Sequence, residues 1–236
     1  ITVHMDGGAV CGNQVAEMGG GLRLQDATTT LEKCFITNNR AVGQGGGICI
    51  PWADFSMKGG LVAANNSDVG GGGIYFSTSA EDNIKQFHLE GGAVSANESG
   101  VEGGGIRIDT GYMEIIAKDG SLIYITNNKG NKNGTDWGGG GIFISDNSGR
   151  VKIYRTLITE NKADGFGGGL GGCSTGRIIS LDVANGASVY GNTADGSHLS
   201  GSGSSKHQDH DAANSPVFME GRNVQDVFSA FGCYIR

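Results

Sequence analysis

The chain has 236 residues, a formal net charge of −7, 17 Lys and Arg against 24 Asp and Glu, and no basic run. That balance makes nucleic acid and anionic membrane poor partners. No apolar run reaches the length of a membrane-spanning helix, so no such helix is expected. Glycine accounts for 45 residues and proline for 2, without a Gly-X-Y period, so the glycine content points to turn chemistry rather than collagen or disorder.

In chain order the sequence is one motif repeated: Val or Ile, two residues, Asn, a five-residue spacer, three glycines, then Ile or Leu. Val10 and Asn13 lead to Gly19-Gly20-Gly21-Leu22, and Ile36 and Asn39 to Gly45-Gly46-Gly47-Ile48. Val62 and Asn65 precede Gly71-Gly72-Gly73-Ile74, and Val94 and Asn97 precede Gly103-Gly104-Gly105-Ile106. The fifth copy, Ile125 and Asn128 to Gly139-Gly140-Gly141-Ile142, has a longer spacer. The sixth is Ile158 and Asn161 to Gly167-Gly168-Gly169-Leu170. Val189 and Asn192 carry the Asn half only.

Successive motif Asn residues lie 26 to 33 positions apart, a period that marks a solenoid. Apolar-x-apolar triplets follow the glycines, as in Ile74-Tyr75-Phe76 and Ile142-Phe143-Ile144, and this alternation predicts strands. A second strand is expected before each Asn, as in Cys34-Phe35-Ile36-Thr37. A third falls in the variable segment, as in Glu114-Ile115-Ile116 or Val151-Lys152-Ile153. The expected fold is therefore all-β: a single-stranded, right-handed parallel β-helix of about seven coils, roughly 34 Å long. Residues 1–196 form the repeats, 197–215 a Gly/Ser/His/Asp-rich loop and 216–236 a C-terminal cap or last coil. Within the cap, Val224, Val227, Phe228 and Phe231 behind Asn223 have the spacing of a short amphipathic helix.

The Asn is expected in the turn near left-handed geometry, stacked on the Asn of the next coil as a buried ladder. The glycines allow positive φ and close approach of coil to coil. Gly-Gly-Gly without a following Lys-Ser/Thr and helix is not a phosphate loop. The five cysteines lack a disulfide framework: Cys49 and Cys173 lie too many coils apart, while Cys11 and Cys34, in adjacent repeats, are the one pair that spacing allows. Of the three Asn-x-Ser/Thr sites, Asn65 and Asn97 coincide with ladder positions, and only Asn133 falls in an expected loop.

With these motifs aligned, residues 5 to 196 resemble the adhesin-like repeat proteins of bacterial and archaeal surfaces. The likeness is to the passenger repeats of chlamydial polymorphic outer membrane proteins and autotransporters. Val or Ile stands three residues before the Asn where that family has Phe, and Gly-Gly-Gly-[Ile/Leu] replaces its Gly-Gly-Ala tetrad. The resemblance implies a secreted or cell-surface, non-enzymatic stalk or binding module with an extracellular glycan or protein receptor. It implies no cofactor and brings no catalytic residues. No signal peptide is recognised, and the chain opens inside the pattern at Ile1, as a mature fragment or excised domain would.

Alternating side chains place the middle residue of each post-glycine strand away from the core. Arg23, Tyr75, Arg107 and Phe143 are thereby expected to form an outward recognition strip, as an alternative to a plain solvated face. Trp137, in the insertion 129–137 of the fifth repeat, is a further binding candidate, and Trp52 follows a strand end. A carbohydrate-active enzyme, glycosidase or polysaccharide lyase, is the competing class. The best carboxylate pair for it is Asp109 and Asp146, on successive coils one position out of register. The five histidines lack a Gly-x-Ser-x-Gly partner. His207, Asp209, His210 and Asp211 include metal-ligating types, but a solvated loop explains them as well, and no metal site is assigned.

Overall fold

The computed structural model describes residues 1–78, 86–118, 120–131, 138–145, 149–165, 167–172 and 186–194, and the backbone of 177–182. Every strand pairing among them is parallel, and each strand pairs with its equivalent in the next repeat. No helix occurs among the described residues. The chain is a parallel β-solenoid.

Four strand segments per repeat, rather than three, build the coil. In the second repeat they are Thr28–Glu32 on face A, Cys34–Thr37 on face B, Arg40–Ala41 on face C and Ile48–Pro51 on face D. Faces B and C are seven-stranded sheets; faces A and D merge into one twelve-stranded sheet through the long strand Ile106–Ile116. Face C escapes a hydrophobic reading because each strand has two residues and its inward row is small: Val15, Ala41, Ser67, Ser99, Gly130, Ala163.

The core is a set of stacked columns. Ile36, Val62, Val94, Ile125, Ile158 and Val189 form one on face B. Ile48, Ile74, Ile106, Ile142 and Leu170 form another on face D. All are buried, each contributing about 1.5–3 kcal/mol relative to exposure. Face A adds Phe55 stacked on Phe87 at 5.0 Å, with Phe76 of face D meeting Phe87 edge-on at 5.5 Å.

Between faces B and C runs the expected ladder. Asn13, Asn39, Asn65, Asn97, Asn128 and Asn161 each donate from Nδ2 to the Oδ1 of the next motif Asn, ending at Asn192, over 2.9–3.0 Å. The same Oδ1 accepts the previous Asn backbone N–H, as from Asn39 to Asn65 at 3.0 Å. The second Nδ2 hydrogen goes to a carbonyl of the preceding coil, as from Asn65 to Ile36 at 2.8 Å. An interior Asn thus uses both side-chain donors and both acceptor sites while 1% exposed or less. Asn65 and Asn97, two of the three glycosylation-type sites, are buried here.

One expectation is corrected. The left-handed residue is not the Asn but the one before it: Asn38, Ala64, Ala96, Asn127 and Glu160, with φ of 54–56°. Gly12 and Gly191 fill the same place in the first and last copies. A left-handed residue must reverse the chain from face B to face C, and this leaves the Asn extended enough to reach both neighbouring coils. An alanine there carries a steric cost of about 1–2 kcal/mol.

The three glycines answer three separate demands, seen at 71–73. Gly71 has φ +64. A Cβ on Gly72 would lie 2.3 Å from the Glu98 carbonyl oxygen of the next coil, and one on Gly73 would lie 2.9 Å from the Asn97 side chain. The triplet therefore lets the next coil and its ladder Asn sit flush against it.

Asn65→Ala is expected to lower unfolding free energy by about 3 kcal/mol, since it strips the Ile36 carbonyl and the Asn39 N–H of their side-chain partner in a buried turn. An unshifted denaturation midpoint would refute the ladder's role. Ala64→Gly combined with Ala96→Gly is expected to raise stability by about 1 kcal/mol, the relief of two left-handed alanines less the unfolded-state entropy of glycine. Chemical denaturation of both variants measures it.

Candidate functional site

The strand after the glycines does bring the expected strip into register. Arg23 pairs with Cys49, Cys49 with Tyr75, Tyr75 with Arg107 and Arg107 with Phe143. None of these five joins the apolar core cluster. Exposure is where the expectation fails. Only Arg23 is exposed, 3.4 Å from Glu17 and from Gln25. Tyr75 is 7% exposed and Phe143 2%. The reason is the connection that leads into each strand. A Cβ on Gly139 would fall 2.7 Å from the Phe143 Cβ, and one on Gly70 would fall 2.7 Å from Arg107 Cδ. The glycine-bearing loops lie against the outward side chains of face D.

What they enclose is a polar cluster. Arg107 donates from Nε to Asp109 at 2.7 Å and its Nη1 lies 2.9 Å from Glu102. The Tyr75 hydroxyl donates to Asp109 Oδ2 at 2.7 Å. Asp109 reaches both because it is the extra residue of a bulge: Phe76 pairs with Ile108 and Ser77 with Thr110, leaving Asp109 without a partner in the register. The insertion also resets the alternation, so that Ile106 and Ile108 point inward before it and Met113 and Ile115 after it. Burial works against the Arg107 charge, but Glu102 and Asp109 beside it more than offset this and raise the guanidinium above its ordinary range. Burial first, and then the Asp109 carboxylate, pushes the Tyr75 phenol up.

Chemically, the cluster holds two carboxylates on one arginine. Hydrolysis needs one carboxylic acid and one carboxylate with room between them for a sugar bond. Here Arg107 occupies the space between Glu102 and Asp109, an arrangement suited to fixing the bulged corner. Sequence reading singled out Asp109, Arg107 and Tyr75 but missed Glu102. Its position in the spacer, one residue before the glycines, was the available signal. Asp146, Trp137 and the His207, Asp209, His210 and Asp211 group lie outside the described residues, as do Asn133 and the 224–231 segment. No group of three His, Cys, Asp or Glu side chains suited to a metal occurs among the described residues.

The other faces differ in character. On face A, His88, Glu114 and Lys152 stand in register, with His88 Nδ1 3.3 Å from Glu114 and the Tyr112 hydroxyl donating to Glu114 at 2.7 Å. On face C, Arg40 donates to Asn66 and Asp68, each at 2.8 Å, and Lys129 lies 3.3 Å from Glu98. Donation from Asn131, against the effect of burial, and the nearby Lys129 hold the Glu98 carboxyl below its usual range. Trp52, 53% exposed with φ 56, stands out at the turn from face D to face A.

Cys11 and Cys34 do not pair: with Cys49 they are free thiols, Cys34 and Cys49 buried and Cys11 exposed. Cys34 Sγ sits within 3.2–3.4 Å of the Met5, Gly7 and Glu32 carbonyls. Burial pushes the Cys49 thiol up to about 12. Native alkylation at about pH 8 is therefore expected to modify Cys11 well before Cys34 or Cys49. Site-resolved mass mapping checks this, and equal labelling of Cys49 would mean that face D opens. Arg107→Met is expected to cost about 3 kcal/mol by leaving two enclosed carboxylates without their cation, read as a shift in the denaturation midpoint.

Compared with known proteins, the chain matches no family model, no curated protein and no solved structure.

Proposed function

We propose that this chain is a non-enzymatic, adhesin-like β-helix, secreted or displayed at a cell surface, that serves as a stalk or binding module for an extracellular glycan or protein receptor. In this reading the solenoid is right-handed, has about seven coils and ends in a C-terminal cap. The observation that carries the proposal is the state of the outward polar side chains. Many of those on faces A, C and D are engaged with each other, within a coil or from one coil to the next. Examples are Arg107 with Glu102 and Asp109, Lys58 with Glu32 at 2.9 Å, and Lys118 with Glu90 at 2.5 Å. Such pairs stiffen a rod and fix its register; an acid–base catalyst requires groups free to exchange protons with a substrate. The interior supports the same reading, because a continuous amide ladder and stacked apolar columns give a rigid scaffold whose outer faces carry the variation.

A carbohydrate-active enzyme is the second reading, favoured by one feature: two carboxylates and an arginine gathered on one outer face at Glu102, Asp109 and Arg107. One experiment separates the two. The purified chain is applied to a glycan array and to host-cell or matrix surfaces, beside a polysaccharide-degradation screen. Binding without turnover is expected. Release of reducing or unsaturated sugar ends, abolished by Asp109→Asn, would overturn the binding-module reading.

A further inference from the structure

Face B differs from the other three. Its outward row runs Ala9, Phe35, Leu61, Ala93, Tyr124, Leu157 and Ser188, one residue per coil in unbroken register. Two residues on along each strand, a second outward row includes Thr37, Ser95, Thr126 and Tyr190. No outward position on the seven strands of this face carries a charged residue. Faces A and C, with the same alternation, carry charged residues in most coils. Phe35 is 51% exposed, Tyr124 41% and Tyr190 38%, and Leu122, just ahead of the Tyr124 strand, is also exposed. Inward packing does not require this pattern. The core needs are met by Ile36, Val62, Val94, Ile125 and Ile158 in between.

From this, resting on the binding-module reading, we infer that face B is the ligand-binding surface and that its ligand is an uncharged polysaccharide chain lying along the solenoid axis. Three considerations select that ligand. The first is shape. Six inter-strand steps by three or four residues give a strip about 29 by 12 Å, roughly 350 Å² in projection. That is under half of the about 800 Å² that each partner contributes to a stable protein interface. A strip of this form suits a linear chain, and Phe35 and Tyr124, three strands apart, stand about 14 Å from each other as successive stacking platforms.

The second consideration is hydrogen bonding. The backbone of the inner strands is used sideways, each strand pairing with both neighbours. Along its inner strands face B therefore offers no sheet edge to an extended peptide, whose own amides would be left unpaired on an aromatic and aliphatic surface. A sugar chain presents C–H faces to Phe35, Leu61 and Tyr124 and hydroxyls to Thr37, Ser95 and Thr126. The third is charge. A polyanionic glycan meets no cation on this face and a protein of net charge −7.

The test uses co-sedimentation of the intact chain with cellulose, chitin and mannan, and with polygalacturonate as the charged comparator, at about 50 and about 500 mM salt. The expected result is retention on at least one neutral polymer at both salt concentrations. The double variant Phe35→Thr with Tyr124→Thr is expected to reduce that retention about tenfold or more, at unchanged circular dichroism. Ala93→Lys, which puts a charge at the centre of the strip without replacing either aromatic residue, is expected to do the same and serves if the double variant fails to fold. Three outcomes would overturn the inference: no retention on any neutral polymer, retention on polygalacturonate alone, or full retention by both variants. Dimerisation of the wild type that either variant abolishes would instead make face B a self-association surface and also overturn it. If the chain binds cells and both variants bind equally well, the inference fails and the binding-module reading stands. Depolymerising activity removes the reading itself.

Discussion

A buried turn with unpaired backbone amides is the constraint on which this molecule depends. Where the chain passes from face B to face C, the backbone N–H of each motif Asn and the carbonyl three residues before it point out of the sheet ladder. From Asn39 onward water cannot reach them. The Asn side chain, with two donors and an acceptor that takes two bonds, is the smallest group able to satisfy both and still bond to its own kind. Because each Oδ1 accepts from the coil before and each Nδ2 donates to the coil after, the solution works only if the next coil has an Asn at the same point. That requirement locks register, and register brings Ile over Ile on face D and valine over isoleucine on face B. The triple glycines follow from it too, since the third one gives the next Asn side chain its space.

Rigid register has a consequence for the surface. Outward side chains are stacked at the inter-strand distance whether or not a ligand needs them, so each face becomes a set of rows with its own character. Face A and face C mix charges of both signs, which pair across coils. Face D, beyond the exposed Arg23, packs its outward row under the glycine loops and encloses an arginine with two carboxylates. Face B alone is left uncharged, with aromatic side chains standing in solvent. Exposed aromatic side chains in a continuous uncharged row are uncommon on a surface with no partner. In a solenoid they also escape the usual explanation of incomplete core burial, because the inward row is already full.

Much of this was legible in the sequence. The Asn spacing marked the ladder, the apolar-x-apolar triplets marked the strands of face D, and Ile36 or Val62 three residues before Asn marked the inward column of face B. Three features were not legible. Face C was hidden, because strands of two residues such as Arg40–Ala41 are too short for an alternation signal. The left-handed position was misplaced: Ala64 and Glu160 are poor candidates for positive φ on their own, and only the reversal between two stacked sheets imposes it. The face D strip was correctly registered but wrongly expected in solvent, because alternation distinguishes inward from outward and says nothing about a loop folding over the outer side.

The sequence by itself therefore determined what repetition determines: a parallel solenoid, its ladder and its inward columns, each following from a residue type returning at a fixed place in the motif. Which outward row stays open was decided by the tertiary structure. Tyr75 and Phe35 are both aromatic residues pointing out of a strand, in motif positions that look equivalent. One lies beside the glycine-bearing connection of face D, and the other on face B, flanked at both strand ends by tight turns. The chain path between sheets, not the side chain, sets which of them meets solvent.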